Sequence, residues 1–305
     1  MKRRGTFTAP ALIFCIYLFL LSTRLLDTAF LTAGNAYLTV GVLQLLVYLL
    51  PAAIYCKLRG NRFGAHLRLR LLGGEQLLVV LAGAVVLICG GLLIGFAMGG
   101  MEQLGDSVAL YDRYVSAGSY GGEEIVYAAL AFAVLPALCE EFVFRAILCA
   151  EFEINGVCSA VVSSAVFFAM LHFNLAQFPI YFFAGLLLAM VFYATRSVIG
   201  PIVVHLCYNL FGLFGRPYIT EFYSRTGSTE LFVFLLLVLF LLALLLFFGE
   251  VSRTYRNYAQ RNVPSPHHRV RTQREQRTAA PFFEALLTPP ALLCALLYLG
   301  VIIAA

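Results

Sequence analysis

The chain of 305 residues is 61% hydrophobic and only 12% charged, with a formal net charge of +5 at pH 7. A soluble domain is about 45–50% apolar and about 25% charged, so the composition excludes a soluble globule and the disordered, collagen-like and small secreted classes. It predicts a polytopic membrane protein in contact with the lipid bilayer and without a nucleic-acid partner. The eight cysteines form no CxxC pair, which favours buried hydrophobic side chains over a disulfide framework.

Nine apolar runs approach the roughly 20 residues that a membrane-spanning helix needs. The predicted fold class is therefore all-α, a polytopic transmembrane helical bundle of about nine spans, or eight or seven if short pieces are re-entrant. The first run is interpreted as a retained span, because no convincing small-x-small cleavage site follows it. The runs are 7–23, 36–56, 77–98, 125–149, 158–174, 178–195, 201–215, 231–249 and 282–303.

Lysine and arginine divide unequally between the two sides that nine spans would define. Sixteen of the 21 fall on the side of the N-terminus and four on the other, with Arg145 inside a span. Because cytoplasmic loops are rich in Lys and Arg, the N-terminus is predicted to be cytoplasmic. A bacterial plasma membrane is expected, with the endoplasmic reticulum as the second choice. The basic linker 250–280, with seven arginines, is interpreted as an orientation signal in preference to an anionic-lipid site.

Polar and ionisable residues inside the predicted spans are concentrated in one stretch of the sequence. An ionisable group at bilayer depth costs about 2.5–3.5 kcal/mol on insertion scales, so such groups are functional candidates. The second, third and eighth runs carry no such charge, and the ninth carries only Glu284, near its start. The candidates are Glu140, Glu141 and Arg145 in the fourth run, His172 in the fifth, and His205 and Asn209 in the seventh.

Helical spacing divides the acidic candidates into a member of a supporting ion pair and a possible catalytic carboxylate. Glu141 and Arg145 are four residues apart, so they share a helix face and are predicted to pair. Glu140 points about 100° away from Glu141 and is free to face another target. Together with His172 and His205, Glu140 forms a set of one carboxylate and two imidazoles, which is typical of catalytic zinc.

Proline placement adds a prediction about the fourth and seventh runs. Pro136 lies one turn before Glu140 and is expected to kink its helix and open a wet pocket. Gly200-Pro201 is expected to begin the seventh helix, with His205 about one turn inside it. Straight helices with the predicted ends place Glu140, His172 and His205 at different depths, so tilt, a kink or different helix ends are needed to bring them together.

Three short motifs carry a resemblance to a known family. Glu140-Glu141-Phe-Val-Phe-Arg145 fits EExxxR, Phe168-Ala-Met-Leu-His172 fits FxxxH, and His205-Leu-Cys-Tyr-Asn209 fits HxxxN. In this order, within apolar helices, they resemble the CAAX protease and bacteriocin-processing (CPBP, or Abi) family of intramembrane endopeptidases. The resemblance covers about 125–215 and implies a four-helix catalytic core with a cavity open to the cytosol.

The resemblance also implies roles for the candidate residues. Glu140 would activate the attacking water, His172 and His205 would hold or position it with a zinc ion, and Asn209 would stabilise the oxyanion. Glu141 and Arg145 would support the site. A zinc mechanism with Glu140, His172 and His205 as ligands and a metal-independent glutamate mechanism both remain open. The substrate would be a membrane-embedded peptide or protein, in some members of the family a prenylated CAAX protein.

This resemblance divides the chain into three regions: N-terminal helices at 1–124, a catalytic core at 125–215, and C-terminal helices with the basic linker at 216–305. Two other functions remain as alternatives. One is a non-catalytic bacteriocin-immunity or assembly protein. The other is a proton-coupled transporter that uses Glu140 and the histidines as a relay, although no long internal repeat supports it.

Overall fold

A computed structural model describes residues 4–25, 36–106, 122–263, 283 and 286–304, and these residues contain helices and no strand. The all-α fold class is therefore confirmed. Two helices, α2 and α4, combine α-helical and π-helical turns. The helices are α1 (Arg4–Leu25), α2 (36–59), α3 (Leu77–Asp106), α4 (122–152), α5 (Val157–Leu171), α6 (Phe178–Thr195), α7 (Ile199–Phe214), α8 (Arg216–Thr226), α9 (Thr229–Gln260) and α10 (Pro289–Ala304).

Length and apolar composition suit most of these helices to a membrane. Six are long and apolar enough to cross it, and a helix pair bent by 70°, 199–214 with 218–226, would make a seventh. The helices α5 and α10 are apolar but shorter. Most of the described part of each predicted run lies on a helix, which supports a polytopic bundle; α5 ends at Leu171, before the predicted end of its run at 174. The number of crossings and the cytoplasmic N-terminus stay predictions.

The centre of the bundle is built from α3, α5, α6 and α7. The helix α6 packs against α5, α3 and α7, while α9 covers α3 and α10 covers α1. Gly185 permits the contact between α6 and α5, because a Cβ atom there would lie 2.7 Å from the Cα atom of Ala165. These contacts join all three predicted regions, whose division at 124 and 215 stays a prediction.

The helix α4 is the longest helix of the predicted core and extends past its predicted end at 149. The kink expected at Pro136 stays a prediction. The helix continues through Pro136 without ending, with π-helical turns at Leu130–Val134 and Phe142–Cys149 on either side. A wider turn accommodates a proline that cannot donate a backbone hydrogen bond. The helix also runs beyond 149, to Phe152, followed by a 3₁₀ turn to Asn155 and by Gly156 at a φ of +101°.

The turn between α6 and α7 is buried beneath an irregular segment, 67–70. The backbone N–H of Val198 donates to the carbonyl of Arg68 at 3.1 Å, and the Ser197 hydroxyl donates to the carbonyl of Arg70. Arg68 itself pairs with Glu153 at 2.6 Å. Since Ser197 and Val198 are both 1% exposed, α7 begins inside the protein, which places its first turns beside the core helices.

The structure corrects the predicted start of the C-terminal linker at 250. The predicted linker at 250–280 is helical up to Gln260, because α9 continues 11 residues past the predicted end of its run at 249. The Ser228 side chain caps the other end of α9 by accepting from the backbone N–H of Leu231 at 3.0 Å. The rest of the linker, 264–280, lies outside the described residues.

Candidate active site

A cavity of about 350 Å³ brings four of the predicted residues together. Glu140 from α4, His172 after α5, and His205 and Asn209 from α7 all line it. Glu141 and Arg145 lie behind this wall and are fully buried. The remaining lining is mostly apolar and includes Ile88, Leu92, Phe132, Ile180, Phe211 and Ile219. Few polar groups in an apolar cavity are typical of a binding or catalytic site.

Glu140 is the carboxylate of the cavity wall. Its side chain is 8% exposed, and its Oε2 atom is buried with no hydrogen-bond partner. The Tyr48 hydroxyl of α2 lies beside this carboxylate. A buried polar atom without a partner is uncommon and requires an explanation, of which a catalytic role is one.

His205 is held by the pair that the helical spacing predicted. The Arg145 guanidinium donates to Oε1 of Glu141 at 2.7 Å, which confirms the pair, and His205 Nδ1 contacts the same oxygen at 2.8 Å. A carboxylate accepts, so Nδ1 carries the proton and Nε2 remains available as an acceptor. Arg145 also donates to the carbonyl of Gly185 at 3.2 Å and lies 4.6 Å from the Phe168 ring centre.

His172 is oriented by two contacts of its own. Its Nδ1 atom lies 3.0 Å from the carbonyl oxygen of Phe168, and its ring stacks on Tyr181 with 3.5 Å between centroids. The carbonyl accepts, so Nε2 is again the free acceptor nitrogen. The Phe168 ring lies between the two histidines, with centroid distances of 5.3 Å to His172 and 5.8 Å to His205. Both imidazoles are therefore fixed by oxygen acceptors and by one phenylalanine.

Asn209 lies one turn after His205 on the same face of α7. Its Nδ2 atom donates to the carbonyl of Ala133 at 3.4 Å, near the long limit for a hydrogen bond. That carbonyl belongs to the π-helical turn before Pro136. The amide is thus placed in the cavity wall by a weak bond that a better acceptor could replace.

Sequence reasoning missed the contribution of α2. Gln44 lines the cavity, and Tyr48 reaches Glu140 from the same helix. A signal was present, because Gln44 is an uncharged amide inside the apolar run 36–56. The prediction for that run considered charge alone, but a neutral amide is also costly in an apolar environment when it is unpaired.

A metal would need ligands that converge, and within the part of the chain that the structure describes no group of three His, Cys, Asp or Glu residues is placed to hold one. The donor chemistry still fits zinc. A carboxylate and two imidazoles, each with Nδ1 bonded to an oxygen acceptor, are the ligand types and outer contacts that zinc sites use. Zinc therefore stays a prediction, with Glu140, His172 and His205 as the residues that would bind it.

Comparison with known proteins gives one similarity, and it falls in this region. The family model described as "Type II CAAX prenyl endopeptidase Rce1-like" matches residues 122–211. All three motifs lie inside the match, and the resemblance to the CPBP family is confirmed. No curated protein and no solved structure is significantly similar to the chain. The match and the apolar helices together indicate a multi-pass membrane protein whose segment 122–211 is similar to a protease family.

Proposed function

We propose that this chain, whose segment 122–211 matches the CAAX prenyl endopeptidase family, hydrolyses a peptide bond of a membrane-associated substrate in the cavity at Glu140. A CAAX-type prenylated peptide is the first substrate to test. The observation that carries the proposal is the Glu140 carboxylate, which is buried, has an unpartnered Oε2 atom and shares a cavity with two oriented histidines. Peptide hydrolysis needs a base for water and groups that hold that water, and this set supplies both.

Glu140 acts as the general base in this proposal. It removes a proton from a water molecule while the oxygen of that water attacks the carbonyl carbon of the scissile peptide bond. The second hydrogen of that water is donated to the free Nε2 atom of His172 or of His205, which orients the water. The proton taken by Glu140 then passes to the leaving nitrogen, so one carboxyl group serves as base and then as acid.

Asn209 stabilises the oxyanion that forms on the attacked carbonyl. Its Nδ2 group can leave the 3.4 Å bond to Ala133 for a shorter bond to a negatively charged oxygen. Hydrogen bonds to a charged acceptor are shorter and roughly twice as strong as neutral ones. The amide therefore binds the transition state better than the substrate, which is the condition for catalysis.

Glu141 and Arg145 position His205 without touching the substrate. The Glu141 carboxylate accepts from Nδ1 of His205, and Arg145 holds Glu141 in place by donating to the same oxygen. A bound zinc ion would add Lewis-acid polarisation of the carbonyl, with Glu140, His172 and His205 as its ligands. The roles of Glu141, Arg145 and Asn209 are the same in a metal-independent glutamate mechanism.

The test is hydrolysis of a quenched, farnesylated CAAX peptide by purified protein in lipid, comparing wild type with Glu140→Gln. Loss of a general base lowers the rate by about 10²–10⁴-fold. Glu221→Gln, the same substitution at an exposed position of α8, is the matched control and is expected to leave the rate unchanged. Equal rates for wild type and Glu140→Gln would contradict the proposal, provided that the unfolding temperatures of the two proteins agree.

A further inference from the structure

The helix α2 reaches the cavity although it lies outside the segment 122–211 that the family model matches. Its π-helical turn, Leu45–Leu49, packs against residues 135–141 of α4. Gln44, just before this turn, lines the cavity, and Tyr48, within it, lies beside the Glu140 carboxylate. Single π-helical turns occur frequently at functional sites, where the wider turn changes the direction of a side chain.

Gln44 has an unsatisfied side-chain carbonyl oxygen. It lines the cavity together with Glu140 and Asn209, and its Oε1 atom is buried with no hydrogen-bond partner. A buried polar group without a partner costs about 1–3 kcal/mol. A residue that only stabilised the fold would be replaced at a gain by an apolar side chain of similar size, so the amide indicates a ligand that it binds.

A second glutamine in the same cavity shows the contrast. Gln177 also lines the cavity, but its Oε1 atom accepts from the Tyr181 hydroxyl at 2.7 Å. Tyr181 in turn stacks on His172, so this glutamine belongs to the support of that histidine. Gln44 has no such protein partner for its Oε1 atom and is the glutamine whose amide is free to bind a ligand.

Tyr48 acts on the site from the next turn of α2. It is 4% exposed, and its hydroxyl lies beside the Glu140 carboxylate. A hydroxyl that donates to a carboxylate limits its rotation. Tyr48 is thus placed to hold Glu140 in the orientation that a general base needs.

We propose that α2 completes the active site: Gln44 binds a peptide group of the substrate, and Tyr48 is a positioning residue for Glu140. A carboxamide offers one acceptor and one donor group, the same pair that a peptide group offers in return. Binding of an extended peptide beside Glu140 would satisfy the amide. This inference rests on the proposed peptidase function, and its test is therefore built on binding as well as on turnover.

The first experiment measures the affinity of the farnesylated CAAX peptide for Glu140→Gln protein in lipid, where the peptide is not cleaved. Adding Gln44→Leu is expected to weaken binding about tenfold, the effect of one lost hydrogen bond of about 1.4 kcal/mol. The unfolding temperature should stay unchanged or rise, because the substitution removes an unsatisfied buried carbonyl oxygen. Leu46→Ala, at a 50% exposed position of α2, is the control and should not change affinity.

The second experiment uses the active protein. Tyr48→Phe is expected to lower kcat about tenfold and to leave KM unchanged, because only the orientation of the base is affected. Unchanged affinity in Gln44→Leu, or a joint loss of affinity and thermal stability, would overturn the role of Gln44, as would failure of the parent to bind the peptide. If Gln44→Leu weakens binding as expected but the wild-type protein never cleaves the peptide, only the peptidase proposal is refuted.

Discussion

Two Glu–Arg pairs with the same four-residue spacing lie in opposite environments. In α4, Glu141 and Arg145 are 2.7 Å apart and both side chains are 0% exposed. In α8, Glu221 and Arg225 are 2.5 Å apart with side chains 56% and 76% exposed. Spacing therefore predicts that a pair forms, and burial determines what the pair is worth. The inner pair also holds His205, whereas the structure gives the outer pair no contact with the cavity.

The largest difference between the two pairs is expected when the cation is removed. Arg145→Met leaves Glu141 buried with only His205 as a partner and should lower the free energy of unfolding by about 3–5 kcal/mol. Denaturation in mixed detergent micelles measures it. Arg225→Met is the matched control on α8 and should change the same quantity by less than about 0.5 kcal/mol.

The double variant Glu141→Leu with Arg145→Met separates loss of charge balance from loss of packing. Replacing both members of a buried pair by apolar residues is often neutral or stabilising, so this protein should regain most of the lost stability. It should still be inactive, because His205 has lost the acceptor that fixes its Nδ1–H tautomer. If the double variant is as unstable as Arg145→Met alone, packing and not an unpaired charge explains the defect.

An intermediate effect is expected from Glu141→Gln, which keeps the shape of the side chain and removes its charge. Outer-shell partners of a catalytic histidine typically contribute 10–100-fold to activity, so kcat should fall by about that factor. KM should change little, since Glu141 does not line the cavity. A kcat equal to that of wild type would show that His205 does not need a charged acceptor.

The common depth of Glu140 and His172 can be predicted from a helix stop signal in the sequence, Asn155-Gly156. With the fourth span ending at 149, Glu140 and His172 appeared to lie at different depths. The helical chain instead continues to Asn155 and reverses at Gly156, whose φ of +101° suits glycine. Glu140 then lies 15 residues before this turn and His172 15 residues after Val157, about 22 Å in each case. Asn-Gly is a typical C-terminal helix signal.

The depth of His205 and the role of α2 depend on tertiary contacts. His205 is only six residues after Ile199, and it reaches Glu141 because the turn before α7 is buried under 67–70. Nothing local to that turn indicates which distant segment covers it. Likewise, the motifs at 140–209 carry no information about α2, so Gln44 and Tyr48 could be placed in the site only by the packing of helices distant in sequence.

The smallest effect is expected for the solvent-exposed Glu–Arg pair on α8. Arg225 and Glu221 lie on α8 with most of their side chains exposed, so an i,i+4 pair there is worth about 0.3–0.5 kcal/mol at most and is screened by salt. Raising the salt concentration to about 1 M, where the Debye length is about 3 Å, should make the unfolding free energies of wild type and Arg225→Met equal within error. The deficit of Arg145→Met should persist under the same conditions, because salt does not reach a fully buried pair. A deficit in Arg145→Met that disappears with salt would mean that water enters the site beside Glu141, and the contrast between the two pairs would then be one of degree.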